Sequence, residues 1–210
     1  MKVAIALFEQ VTALDAIGPY EVLQRLPESE VFFVGHKKGE LRTDNGFLGL
    51  TVDYPFEAVT KPDVVVVPGG AGTRKLMDDA AILSWIRLAH ASTRFTTSVC
   101  TGSLLLAAAG LLDGLTATTH FSARHLLSKY GAAPSEERVV REGKVITAAG
   151  VSSGIDMALQ LAELLTDATT AKAIQLMIEY DPQPPHDAGA PHKVGPSILV
   201  RAQELAREKR

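Results

Sequence analysis

The chain has 210 residues, 46% of them hydrophobic, and a formal net charge of −3. That size and apolar content suit one substantial core, and the mixed, weakly acidic charge offers no nucleic-acid surface. A single cysteine excludes an internal disulfide and fits a reducing compartment, and no apolar run approaches the ~20 residues that cross a bilayer, so a cytoplasmic protein is expected.

The chain opens on MKVAIALFEQ. Its apolar run is short and Glu9 and Gln10 follow at once, so it reads as a first strand, Val3 to Phe8, rather than a signal peptide. A loop containing Asp15 follows, and Pro19 then suits the first position of a helix running to about Leu26. Glu30 to Gly35 is a second strand. Lys37 to Tyr54 reads as a hairpin around Asp44-Asn45-Gly46. Asp63 to Pro68 is a third, fully buried strand, ended by Gly69-Gly70-Ala71-Gly72. One helix is predicted from Thr73 to Ser92, with Leu76, Ile82, Trp85 and Leu88 on its apolar stripe.

Arg94 to Val99 is β-branched and strand-like, whereas the Leu/Ala run from Ser103 is strongly helical. Cys100 sits between them, followed by Thr101 and Gly102. A strand turning directly into a helix places the turn residue at the sheet rim in a strained conformation, a nucleophile elbow with sulfur in place of the usual oxygen. The helix N-terminus beside it leads us to expect a thiol that ionises more easily than a free one. A buried structural cysteine is the common alternative, but the junction is a poor place for one.

A strand is predicted near Leu115 to Thr119, then His120 and a helix to about Tyr130. Arg138–Val140 and Val145–Ala148 form a second hairpin. Gly150-Val151-Ser152-Ser153-Gly154 leads into a helix from Ile155 to about Leu165, with Ser153 and Asp156 at capping-box spacing. Another helix covers Ala168 to Tyr180. A Pro-rich segment (181–195) precedes a last helix from about Pro196 to Lys209. Strands alternating with long helices predict a single α/β domain over residues 1–210: a three-layer α/β/α sandwich around a mostly parallel, flavodoxin-like sheet.

Ligands bind beyond the C-terminal ends of strands in such sheets. Four loops reach that rim. Asp15 is either a helix cap or a free acid. Gly69 and Gly70 form either a plain turn or an anion pocket. Cys100 is followed by the N–H of Thr101. Gly150 and Ser152 follow the last strand. His120 could serve as base to the thiol or be an ordinary hydrogen-bonded histidine; His186 and His192 cannot be assigned. No cluster has metal-ligand spacing and no nucleotide-binding pattern occurs, so neither metal nor cofactor is expected.

PGG at Pro68–Gly70, SVCTGSLLLAAAGLLDG at Ser98–Gly114, ATTH at Ala117–His120 and RVVREGKVITAAGVSSGIDMAL at Arg138–Leu159 resemble the ThiJ/PfpI superfamily, over about Lys2 to Tyr180. LDxxGPxEVL at Leu14–Leu23, Thr after the cysteine and QLMIEYDPQPPHDAG at Gln175–Gly189 are similar to its isocyanide hydratase branch; sensor domains of AraC-type regulators share the first motif and the Cys-Thr-Gly elbow. The resemblance implies a class I glutamine-amidotransferase-like fold and a cofactor-free enzyme, usually homodimeric. It implies Cys100 as nucleophile and Asp15 as general acid and base with a raised pKa. The N–H groups of Gly70 and Thr101 form an oxyanion pocket helped by the Thr101 hydroxyl, and Gly150 packs over the cysteine. The expected reaction hydrates an isocyanide to an N-substituted formamide through a thioimidate. The alternatives are a glyoxalase or deglycase acting on α-oxoaldehydes, in which His120 matters more, and a cysteine redox or ligand sensor. No helix-turn-helix segment is read, which disfavours a transcription factor, and Cys100 is not followed by His, which disfavours a peptidase.

Overall fold

The computed structural model describes residues 1–208. They divide into two compact units, Met1–Ile178 and the segment from Glu179 onward.

In the first unit the strands are β1 (Lys2–Ala6), β2 (Glu30–Gly35), β3 (Gly39–Arg42), β4 (Gly49–Val52), β5 (Tyr54–Pro55), β6 (Val64–Val67), β7 (Phe95–Val99), β8 (Thr116–Ala117), β9 (Ala133–Pro134), β10 (Val139–Glu142) and β11 (Val145–Ala148). Seven of them build the main sheet in the order β10-β11-β7-β6-β1-β2-β5. All neighbours in it are parallel except β10 and β11. The apolar runs explain the centre: every residue of β6 is fully buried, and so are Val3 to Ala6 of β1, as expected of strands covered on both faces. β3 and β4 form the predicted hairpin with Leu41 opposite Leu50. β8 is shorter than expected and lies outside the main sheet, paired with β9.

The helices of this unit are α1 (Ala13–Leu23), α2 (Thr73–Leu76), α3 (Ala80–Ser92), α4 (Gly102–Ala108), α5 (Ser153–Leu165) and α6 (Ala168–Met177). α1 packs against α5, and α5 against α6; α4 packs against α2 and α3. The mostly parallel sheet thus carries helices on both faces.

Four expectations need correction. α1 begins at Ala13 and holds Pro19 inside it, so Asp15 lies in the first helical turn and not in a loop. The single helix predicted over Thr73–Ser92 is two, because the Asp79 carboxylate accepts from the N–H groups of Ala81 and Ile82 and starts a new helix; Leu88 on it is exposed. The capping box at Ser153 and Asp156 does not form: the Ser153 hydroxyl donates to the Gly150 carbonyl, and Asp156 pairs with Arg138. The segment expected to be helical to Tyr130 is instead a 3-10 helix, Phe121–Tyr130.

In the second unit, a 3-10 turn at Pro191–Lys193 precedes helix α7 (Pro196–Glu208). The predicted helix end at Lys209 and the last basic residue, Arg210, lie outside the described residues. No helix among the described residues is long and apolar enough to cross a membrane.

Candidate active site

The chain leaves β1 towards β2 on one side and returns to β6 on the other. The crevice between the C-terminal ends of β1 and β6 is therefore the point where strand order reverses, the usual ligand site of open α/β sheets. The loops after β1, β6, β7 and β11 meet there.

Cys100 is the residue between β7 and α4, and its φ is 55°. A non-glycine residue at positive φ is strained, and the fold holds it in place from several directions. The Cys100 N–H donates to the carbonyls of Ala148 (3.1 Å) and Ala149 (2.8 Å) at the end of β11. Its own carbonyl accepts from the hydroxyls of Thr119 (2.8 Å) and Ser103 (3.2 Å). Behind it Leu104, Leu105 and Leu106 are fully buried and anchor α4 in the core. Gly102 lets α4 start against β6, since a Cβ there meets the Val67 carbonyl oxygen at 2.0 Å.

Asp15 reaches the thiol from the first turn of α1. The carboxyl is fully buried; Oδ2 accepts from the Gly69 N–H at 2.9 Å, and Oδ1 has no hydrogen-bond partner. Burial pushes its pKa up to about 7, against the opposing pull of the Gly69 N–H and the Cys100 thiol. That rise matches what the sequence led us to expect of an acid beside a thiol in a small apolar pocket.

The thiol itself departs from expectation. Cys100 is 5% exposed, and burial together with the neighbouring Asp15 charge pushes its pKa up to about 12, although the N–H groups of Val151 and Thr101 donate towards the sulfur. Loss of hydration and a like charge outweigh two backbone dipoles and the start of a short helix. Burial and the neighbouring carboxylate thus favour the thiol over the thiolate. Asp15 is the acid–base group that shifts the proton affinity of Cys100 and is shifted by it.

The glycine pair after β6 makes the close approach possible. A Cβ on Gly69 falls 2.5 Å from the Thr101 nitrogen and 2.9 Å from Asp15 Oδ2, and Gly70 has φ 138° with the Gln10 carbonyl 2.3 Å from where a Cβ would sit. The Gly70 N–H, expected to face substrate, instead donates to Thr101 Oγ1 at 3.0 Å. Thr73, which the sequence did not single out, reaches both the Gly70 carbonyl (2.7 Å) and Thr101 Oγ1 (3.1 Å). These bonds fix the Thr101 side chain against the Gly70 loop and α2.

After β11, Gly150 leaves space for the His120 ring: a Cβ there comes 2.8 Å from His120 Cδ2. Ser152 is exposed and accepts from Arg138 at 3.3 Å. The group that turns to the sulfur is the N–H of Val151, a residue missed in the sequence. Its φ of 30° is unusual for a β-branched side chain, and no residue type at 151 announces it. His120 is half-buried; its Nδ1 accepts from the Ser122 N–H and contacts the Ser122 hydroxyl at 2.8 Å. Burial and the charges of Arg74 and Arg124 push its pKa down. It stands at the rim over Gly150. His186 and His192 lie in the second unit.

A family model described as the DJ-1/PfpI family matches residues 1–164. The isonitrile hydratase of Pseudomonas putida is 43% identical over 206 residues, which span 98% of this chain and 90% of that protein. A solved ThiJ/PfpI family protein from Pseudomonas syringae superposes with a TM-score of 0.93 at 36% identity, covering 99% of this chain and 86% of its own. The glutathione-independent glyoxalase DJR-1.2 of Caenorhabditis elegans is 26% identical, over 49% of this chain and 55% of its own. The model match over most of the chain, the near-complete alignment and the close superposition leave one conclusion: the chain belongs to the DJ-1/PfpI family.

Proposed function

We propose that the protein is a cofactor-free enzyme that hydrates isocyanides to N-substituted formamides, with Cys100 as nucleophile and Asp15 as the single proton carrier. The observation that carries this reading is the coupled, buried pair of a protonated thiol and a carboxyl whose pKa is pushed up to about 7; the 43% identity to an isonitrile hydratase supports the substrate class. A carboxyl titrating near neutrality can both take and return a proton at working pH, which hydration of a carbon–nitrogen triple bond demands at each stage.

The steps balance as follows. The terminal isocyanide carbon is electrophilic. As the Cys100 sulfur bonds to it, the Asp15 carboxylate takes the thiol proton and passes it to that same carbon, giving a thioimidate, R–N=CH–S–Cys100. A water then attacks this carbon while Asp15 accepts one of its protons and delivers it to nitrogen. The tetrahedral adduct collapses, the C–S bond breaks, and the hydroxyl proton returns through Asp15 to sulfur, releasing R–NH–CHO. The N–H groups of Thr101 and Val151, aimed at the sulfur, stabilise its charge as the thiol is deprotonated and again as sulfur leaves.

A redox sensor draws on a thiolate present at neutral pH, and the raised pKa of Cys100 opposes that reading. A mechanism that pairs the thiol with His120 competes with the hydrogen bonds that already engage His120 Nδ1 at Ser122. The test is turnover of a simple aryl isocyanide to its formamide, followed by absorbance. The wild type converts it, and Cys100→Ala loses at least ~10³-fold. Turnover retained in Cys100→Ala, or no turnover in the wild type, overturns the proposal.

A further inference from the structure

The ATTH stretch at Ala117–His120 is not accounted for by the acid–base pair. Thr119 is fully buried, and its hydroxyl donates to the Cys100 carbonyl at 2.8 Å. The chain around it is fixed from outside the elbow. The N–H of the preceding Thr118 donates to Thr147 Oγ1 at 2.9 Å, and the Thr118 hydroxyl to the Ser135 carbonyl at 3.2 Å. Thr147 belongs to β11, directly opposite Ser98 of β7.

The Cys100–Thr101 peptide is planar and trans, so its C=O and its N–H point in opposite directions. Fixing the oxygen edge fixes the nitrogen edge. The oxygen edge is held by Thr119 and Ser103; the nitrogen edge is the Thr101 N–H that donates towards the Cys100 sulfur. Ser103 sits on α4 itself and moves with the elbow, whereas Thr119 ties the peptide to the sheet. We infer that Thr119 is a positioning residue that, through the Cys100 carbonyl, holds the Thr101 N–H on the reacting sulfur.

Removal of this hydroxyl leaves the Cys100 carbonyl held only by Ser103, which moves with α4, and lets the Thr101 N–H swing off the sulfur. The thiolate then loses a donor, and the proton transfer from sulfur loses its stabilised product. For turnover the inference rests on the proposed hydratase reaction; for thiol reactivity it does not.

The test uses full-length Thr119→Val, which keeps the β-branched shape without the hydroxyl, and Thr119→Ser, which keeps the hydroxyl without the methyl. Two quantities are read: the second-order rate of Cys100 alkylation by iodoacetamide at pH 9, and kcat and KM for an aryl isocyanide. In Thr119→Val alkylation slows about tenfold, the effect of one unit of thiol pKa. In the same variant kcat falls about 10- to 100-fold with KM nearly unchanged, and Thr119→Ser restores both to within about threefold of wild type. Wild-type alkylation and kcat in Thr119→Val overturn the inference. So does a folded Thr119→Ser with alkylation slowed tenfold, since that assigns the role to packing of the methyl; this arm decides the matter even where Thr119→Val fails to fold. Slowed alkylation in a protein without isocyanide turnover supports the positioning role and refutes the hydratase reading separately.

Discussion

Asp15 has an unusual proton affinity because it is badly solvated. An acid in the first turn of a helix ordinarily has a lowered pKa, and Asp15 also accepts the Gly69 N–H. Complete burial with one unpartnered oxygen reverses the sign and pushes the pKa up to about 7. The folded state therefore keeps a proton that the unfolded chain releases above pH ~4. Stability from this group is complete below that value and is lost as pH rises through 7. Replacing Asp15 by Asn removes the charge that is costly at high pH while leaving an oxygen for the Gly69 N–H. We expect Asp15→Asn to melt close to wild type at pH 4 and above it at pH 8, by up to about 2–4 kcal/mol of stability. Thermal melts of both proteins at the two pH values check this, and an Asn variant that melts at or below wild type at pH 8 contradicts it.

At the scale of elements, two junctions decide the shape of the site. The elbow was legible in the sequence because opposite preferences meet within a few residues: Phe95–Val99 is β-branched and fully consistent with β7, and the Leu/Ala run enforces α4. The start of α1 was not legible. Pro19 suits a first helical turn so well that the helix was expected to open there, yet α1 takes Pro19 into its interior. Its packing on α5, a partner far along the chain, outweighs the local preference. The break between α2 and α3 was written in Asp78-Asp79, an acid pair whose second member caps α3, but the apolar stripe running across it masked the signal. Asp79→Ala should cost about 1 kcal/mol and leave kcat unchanged, because α3 holds no site residue. A denaturant titration and a steady-state assay check both parts; a large loss of kcat would place α3 closer to the chemistry than this.

At the scale of the molecule, the site is assembled from four loops that the sheet order brings to one crevice. Gly69, Cys100 and Thr101 stood out in the sequence because they follow the apolar runs of β6 and β7 at their exits, whereas Asp15 was read in a loop and lies in the first turn of α1. What the N–H groups do there was not legible. The diversion of the Gly70 N–H to Thr101, the turn of the Val151 N–H onto sulfur and the raised thiol pKa depend on how loops from distant parts of the chain pack, and no local pattern encodes them. Proton transfer between Asp15 on one side of the crevice and Cys100 on the other is the central claim. The pH dependence of kcat/KM for an aryl isocyanide, in wild type and Asp15→Asn, tests it most directly. The wild-type profile should rise with pH through an inflection near 7, where Asp15 becomes the base, and Asp15→Asn should fall about 10²- to 10⁴-fold and lose that inflection. Activity near wild type in Asp15→Asn, or the same inflection surviving in it, would contradict the account.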